Sequence, residues 1–160
     1  GGNVCIENAQ GLDIICGGDL IVRKQLAFSR IVCKRSIFVS KQDKADGILI
    51  GCQISGRGEI TAGVIGATSG SSISIDFTQE YNNVHRASTS LKKQYEGLQS
   101  TYTQHQQQQQ FAQHLTIKAT HTLHSGVYVI INKYTWESKQ QFGPSKVFFV
   151  TSKWEITPLV

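Results

Sequence analysis

Residues 13–22 read Asp-Ile-Ile-Cys-Gly-Gly-Asp-Leu-Ile-Val, and residues 30–39 read Arg-Ile-Val-Cys-Lys-Arg-Ser-Ile-Phe-Val. Laid one above the other at an offset of 17 residues, apolar positions fall on apolar positions: Ile14 on Ile31, Cys16 on Cys33, Val22 on Val39. Each decapeptide reads as two short strands broken by a corner, Gly17-Gly18 in the first and Lys34-Arg35 in the second. Such a unit turns a row of Ile, Val, Leu and Cys inward, yet alone it cannot bury that row or satisfy its backbone. Coils stacked about 4.8 Å apart bury one another and pair their strands in parallel. The spacing predicts a mainly β fold, a right-handed parallel β-helix, with Cys16 and Cys33 in one dry column.

Working outward, Asn3-Val4-Cys5-Ile6 already reads as part of a coil. A chain without methionine that starts Gly-Gly reads as a piece of a longer protein, with further coils expected before it. Downstream, residues 48–52 with 58–62 are expected to form a third coil, and residues 64–68 with 72–75 a fourth. Lys41-Gln42-Asp43-Lys44 is read as a bulge that lengthens the third, and the coils are bounded at residues 1–76. An α/β domain would need amphipathic helices between its strands, and no interval is long enough for them. Ile48, Ile54 and Ile60 keep the six-residue step of a hexapeptide β-helix, but the step dies on either side. A coil of 17 residues fits better.

From residue 77 the grammar changes. Phe77, Tyr81, Val84, Ser88, Leu91, Tyr95, Leu98 and Tyr102 follow alternating steps of four and three, the a/d rhythm of a coiled coil. Glu80, Arg86, Lys92, Lys93 and Glu96 flank this seam, and Asp76 with Gln79 forms a weak capping box at its start. An unbroken helix over residues 77–112 would reach about 54 Å from the stack. Residues 77–114 are therefore predicted to be an inserted helical arm, a hairpin turning near residues 97–101, or a seam completed by a second subunit. After it the period returns to two, in residues 115–119, 126–131, 145–150 and 153–157. Residues 115–160, which hold both tryptophans, are expected to return as strands that cap the last coil.

That order of coils, insertion and returning strands carries a resemblance. Ser125-Gly126-Val127-Tyr128-Val129-Ile130-Ile131, the ending Glu155-Ile156-Thr157-Pro158-Leu159, the stretch over residues 54–63, and Val64-Ile65-Gly66-Ala67 resemble the C-terminal part of the flagellar assembly protein A family. Its relatives are the polymer-forming, bactofilin-like proteins. The resemblance implies a cytoplasmic bacterial protein that assists flagellum assembly or placement without catalysis. It also implies that the arm here is shorter than in relatives.

Chemistry is sparse. Cys5, Cys16, Cys33 and Cys52 contain no Cys-x-x-Cys pair, which argues against a zinc or thioredoxin-type site, and all four read as reduced and buried. Of the five histidines, His114, His121 and His124 are near in sequence, but His121 and His124 face opposite sides of a continuous strand. No Gly-x-Ser-x-Gly elbow is present, and Gly56-Arg57-Gly58 is not followed by Gly-Lys-Ser/Thr, so it reads as a coil corner where glycine permits positive φ. Asp43 and Asp46 share a bulge with lysines beside them. No enzyme activity, catalytic residue, metal or cofactor is expected. No window of 18 apolar residues exists to span a membrane.

The net charge of +5 concentrates at predicted corners, at Arg23, Lys24, Lys41, Lys44 and Arg57, with Lys24 and Lys41 again 17 apart. Stacked, these form a basic stripe, which either guards edges against unwanted pairing or docks an acidic protein. With Lys92 and Lys93 on the arm, they are the candidate protein-binding residues. Self-association through the stack ends or the arm is a further expectation. Nucleic acid is disfavoured, since no Arg-aromatic interleaving or known module appears. The competing reading is a hexapeptide-like β-helical acyltransferase with a histidine at a subunit boundary, recognisable by strict six-residue steps and a coenzyme A-sized cleft.

Overall fold

The computed structural model describes residues 2–40, 46–94, 115–150 and 153–159, and for residues 90–94 the backbone only. Strands β1 (Val4–Gln10) and β2 (Asp13–Cys16) make a first coil, and β3 (Leu20–Ala27) and β4 (Arg30–Cys33) a second. A third holds β5 (Ile37–Val39), β6 (Ile48–Ile50) and β7 (Gln53–Gly56); a fourth holds β8 (Glu59–Ile65) and β9 (Ile73–Asp76). Helix α1 (Thr78–Gln94) follows, and then β10 (Thr116–Leu123) and β11 (Val127–Ile131) form a fifth coil.

Successive coils pair in parallel, and the 17-residue offset is the stacking register. Ile14 lies against Ile31, Cys16 against Cys33, Leu20 against Ile37 and Val22 against Val39. Leu20, Val22, Ile31, Cys33, Ile37 and Val39 are all buried in one core that runs the length of the stack. Each coil crosses three stacked columns. Leu20, Ile37 and Ile60 stand in the first, Leu26, Leu49 and Ile65 in the second, and Ile31, Ile54, Ile75 and Val129 in the third. The first two columns meet at a bulge where Arg23 and Lys24 together oppose Glu7.

The third coil is longer. Gln25 pairs with Ile48, an offset of 23, whereas Val22 pairs with Val39, an offset of 17. Six extra residues therefore enter between Val39 and Ile48, where the sequence placed its bulge; residues 41–45 themselves lie outside the described residues. The strand assignment past that point needs correcting. The third-column strand of this coil is β7, which the sequence reading passed over, and Val64 and Ile65 continue β8 rather than open a new coil. The residues of the hexapeptide step are not equivalent: Ile54 and Ile60 are buried, but Ile48 is exposed.

The insertion occupies one corner of the stack. In the third coil only Gly56-Arg57-Gly58 separates Ser55 from Glu59, and their partners in the next layers are Asp76 and Thr116. Residues 116–131 then resume the parallel stack, β10 on β8 and β11 on β9. Beyond them β12 (Tyr134–Glu137), β13 (Ser145–Val150) and β14 (Lys153–Pro158) add in antiparallel fashion to β11, β10 and β13 in turn.

Among the described residues α1 is the one helix, and its seam meets the body instead of a second helix. Phe77 is buried, Tyr81, Val84 and Ser88 are half-buried, and Gln79, Asn83, Arg86 and Ala87 are exposed. Tyr81 packs edge-on to Phe149 of β13, with ring centroids 6.4 Å apart. An a/d stripe is an apolar face, and a sheet edge covers it as well as a helix does. The hairpin turn and the rest of the seam fall on residues 95–114, outside the described residues. Cys5 also departs from expectation: it points outward beside Ile21 and is exposed, while Cys16, Cys33 and Cys52 are buried, all four as free thiols.

Candidate functional site

The corner that admits the insertion is laced by side chains from every coil it crosses. Asp19 Oδ1 accepts from the Ser36 amide at 3.1 Å, and Asp19 Oδ2 lies 3.8 Å from Arg35 Nη1. One layer on, Arg57 Nε donates to the Lys34 carbonyl at 2.8 Å, and its Nη1 reaches Glu80 Oε1 of α1 at 2.7 Å. The guanidinium fork thus spans the second coil, the third coil and the helix. The Glu80 carboxylate is largely shielded, at 14% exposure, which strengthens a charge-assisted bond relative to a solvated one.

On its other side the helix root is clamped to the fifth coil. The Asp76 carboxylate accepts from the Thr78 amide at 2.8 Å and caps the first turn. The Phe77 amide donates to Ile130 O at 2.9 Å. Asn132, in the two-residue turn between β11 and β12, donates its amide to Thr78 Oγ1 at 2.7 Å and its Nδ2 to Asn82 Oδ1 at 3.1 Å. Asn132 takes φ +50, a conformation asparagine tolerates. Phe77, 1% exposed, closes the root against Trp154 at 6.3 Å between ring centroids.

Between corner and helix lies an open groove of ≈ 630 Å³, lined by Lys34, Arg35 and Arg57, with Val84 and Leu115 at its floor. A second groove of ≈ 440 Å³, beside Ser55, Gln79 and Asn83, flanks the other side of the Arg57–Glu80 pair. The first ends at Glu59, whose Oε1 is 2.6 Å from Lys118 Nζ and binds Thr61 Oγ1 at 2.8 Å. Partial burial pushes the Glu59 carboxyl up. The hydrogen bonds from Lys118 and Thr61, with the charges of Lys118 and Lys146, outweigh that and hold it below its ordinary value. A carboxylate lowered in the folded state stabilises above its unfolded pKa, and that contribution is lost as pH falls through the lowered value. Lys118→Met should therefore destabilise the fold slightly at neutral pH, by under about 1 kcal/mol. The difference from the parent should vanish in thermal melts recorded under acid conditions below the carboxylate range.

The candidate residues do not form one stripe. Arg23 and Lys24 sit at the bulge, 3.8 Å and 2.8 Å from Glu7, all three about half exposed. Lys41 and Lys44 lie outside the described residues. Arg57 is at the insertion corner, a different one, in the column of Lys34. Lys92 and Lys93 fall in the last turn of α1, their side chains outside the described residues. Sequence reasoning missed Glu80 as the partner of Arg57 and Asn132 as a clamp. Asn132 had a readable signal, an asparagine in a two-residue break between strand-like runs; Glu80 had none. His85 and His121 are exposed and His124 is half-buried, at separate places in the fold, while His105 and His114 lie outside the described residues.

Parallel coils stacked on one core, with a helical insertion clamped at a corner, define a β-solenoid protein. Residues 1–116 match the family model of the Flagellar Assembly Protein A beta solenoid domain, and the chain belongs to that family. The match covers the N-terminal rather than the C-terminal part expected from the resemblance. It takes in four coils and the insertion, so the strands over residues 125–131 and 155–159 lie beyond it. No curated protein and no solved structure matches the chain.

Proposed function

We propose that this chain is a non-catalytic scaffold that assists flagellum assembly or placement through protein–protein contacts in the bacterial cytoplasm. Family membership supports the flagellar role. The observation that carries the scaffold reading is the double clamp on α1, by Arg57 on one side and Asn132 on the other. A helix pinned at its root to a rigid stack is positioned to present what lies beyond residue 88 to a partner. In this reading the solenoid winds right-handed, as parallel crossovers do, and β12–β14 cap the stack. Arg23 and Lys24 meet a partner with an acidic surface. Self-association runs through the ends of the stack or through the arm. No helix of the described residues is long and apolar enough to cross a membrane.

The acyltransferase reading loses its premise, since the coils advance by 17 and then 23 residues and not by equivalent sixes. The test replaces residues 88–113 with a Gly-Ser linker, leaving the clamp intact, in the cells that encode the protein. The expected result is an unchanged circular dichroism melt with loss of flagellation and swimming. Normal swimming would overturn the arm's role. Arg23→Glu/Lys24→Glu should reduce partner retention in a pull-down, and unchanged retention would remove the basic bulge from the proposal.

A further inference from the structure

Four of the six large apolar side chains exposed among the described residues, Leu12, Ile15, Phe28 and Val32, lie together on the first two coils. The register sets Asp13 beside Arg30 and Ile15 beside Val32. The Leu12 amide donates to Ser29 Oγ at 3.1 Å, and Leu12, Asp13, Phe28 and Arg30 line one shallow groove. The result is two adjacent rows, Gly11-Asp13-Ile15 and Phe28-Arg30-Val32, charged in the middle, apolar where Ile15 and Val32 pair, and carrying Phe28 beside Gly11 at the other end. Asp13, Ile15, Arg30 and Val32 alternate with the buried Cys16, Ile31 and Cys33, so they face out from the side of the stack.

Phe28 is the unusual member. Gln10, Ala27 and Ile50 stand in register, and the residues after them turn the same corner with positive φ: Gly11 at +65, Phe28 at +47 and Gly51 at +60. Glycine adopts this conformation freely, whereas a side chain there is strained. The phenylalanine in the middle layer is not rewarded by burial, since it remains 54% exposed. Its ring lies over Gly51, where a methyl would come within 2.6 Å of it. A strained backbone that holds an aromatic ring outward is a mark of a recognition site.

The charges identify the occupant. One acid and one base, Asp13 and Arg30, occupy the centre of the patch side by side, with Arg30 Nη2 turned to Gln53 Oε1 at 3.4 Å. A two-fold axis along the line between the rows sets each Asp13 opposite the Arg30 of the other copy, Ile15 opposite Val32, and Phe28 opposite the open corner at Gly11. Self-complementarity of this kind is what an isologous interface requires. We propose that residues 12–15 and 28–32 are a homodimer interface in which a second copy of this chain docks face to face, anchored by Phe28. The proposal is independent of the arm and its partner.

Sedimentation velocity over a concentration series tests it on the full chain. The unaltered protein should be dimeric at the upper end. Phe28→Gly suits the corner's φ and should keep or raise the melting temperature while weakening the dimer on the order of tenfold or more. Asp13→Arg should yield monomer, and Asp13→Arg with Arg30→Asp should restore the dimer. An unaltered protein that stays monomeric throughout overturns the proposal, as does a dimer indifferent to Phe28→Gly or to the single charge reversal.

Discussion

Phe77→Ala is expected to lower the melting temperature by roughly 6–20 °C. The ring is 1% exposed at the point where the fourth coil gives way to α1. It sits in an aromatic cluster in which Trp154 lies 6.3 Å from it and 5.1 Å from Phe149, and Tyr134 lies 5.4 Å from Phe149. Truncating a buried phenylalanine removes its transfer free energy and leaves a cavity, together about 3–5 kcal/mol. For a chain of this size each kcal/mol shifts the midpoint by about 2–4 °C. Calorimetry reads the midpoint, and tryptophan emission reads the cluster directly, since Trp154 Nε1 is held by Tyr134 O at 3.2 Å. Emission should shift to the red as the indole gains water. If both midpoint and emission stayed at the parent's values, the ring would not be packed as described, and α1 would lack its root.

The second large effect concerns a residue with no side chain. Gly56→Ala should destabilise the stack at the upper end of the overpacking range, about 3 kcal/mol, read as a lowered midpoint in a urea titration. A methyl at Gly56 would overlap the carbonyl oxygen of Cys33, its partner in the adjacent coil. The obstacle is backbone, fixed within the β4–β7 ladder, so no rotamer change relieves it. Gly143→Ala is the matched control, because nothing lies within 4 Å of its would-be methyl and its φ is ordinary; it should be near neutral. Equal midpoints for the two variants would show that the coils are not in contact at Gly56.

This pair of glycines shows how the sequence could be read and where it misled. Gly56-Arg57-Gly58 reads as a corner, and Gly58 does take φ +107 there. Gly56 is needed for a different reason, the close approach of a strand one layer below, which no local pattern signals. The first two coils were legible because nothing interrupts them, so Cys16 and Cys33 keep their 17-residue spacing and their burial. The third coil was blurred by its six added residues, and β7 carries a single buried apolar side chain, Ile54, too little to announce a strand. The fifth coil carries no repeat signal in the sequence, because the insertion stretches its offset to 57 residues, from Glu59 to Thr116. The basic residues suggest one stripe for a related reason. A spacing of 17 indicates a common corner only between coils of that length, and Arg57 follows the offset of 23 that joins it to Lys34.

By itself, the sequence determined the stacking of residues 13–22 on 30–39 with Cys16 and Cys33 inward, that successive segments stack in parallel, and that a helix interrupts the stack after Asp76. Those properties follow from alternation and repeat length, which are local and survive any arrangement of distant parts. Only the tertiary structure decided that the helix seam lies against the aromatic cluster, that Arg57 answers to Glu80, and that Gly56 admits the Cys33 carbonyl. Each of these depends on residues about 20 or more positions apart meeting at one layer, and that meeting is set by the exact length of every intervening coil.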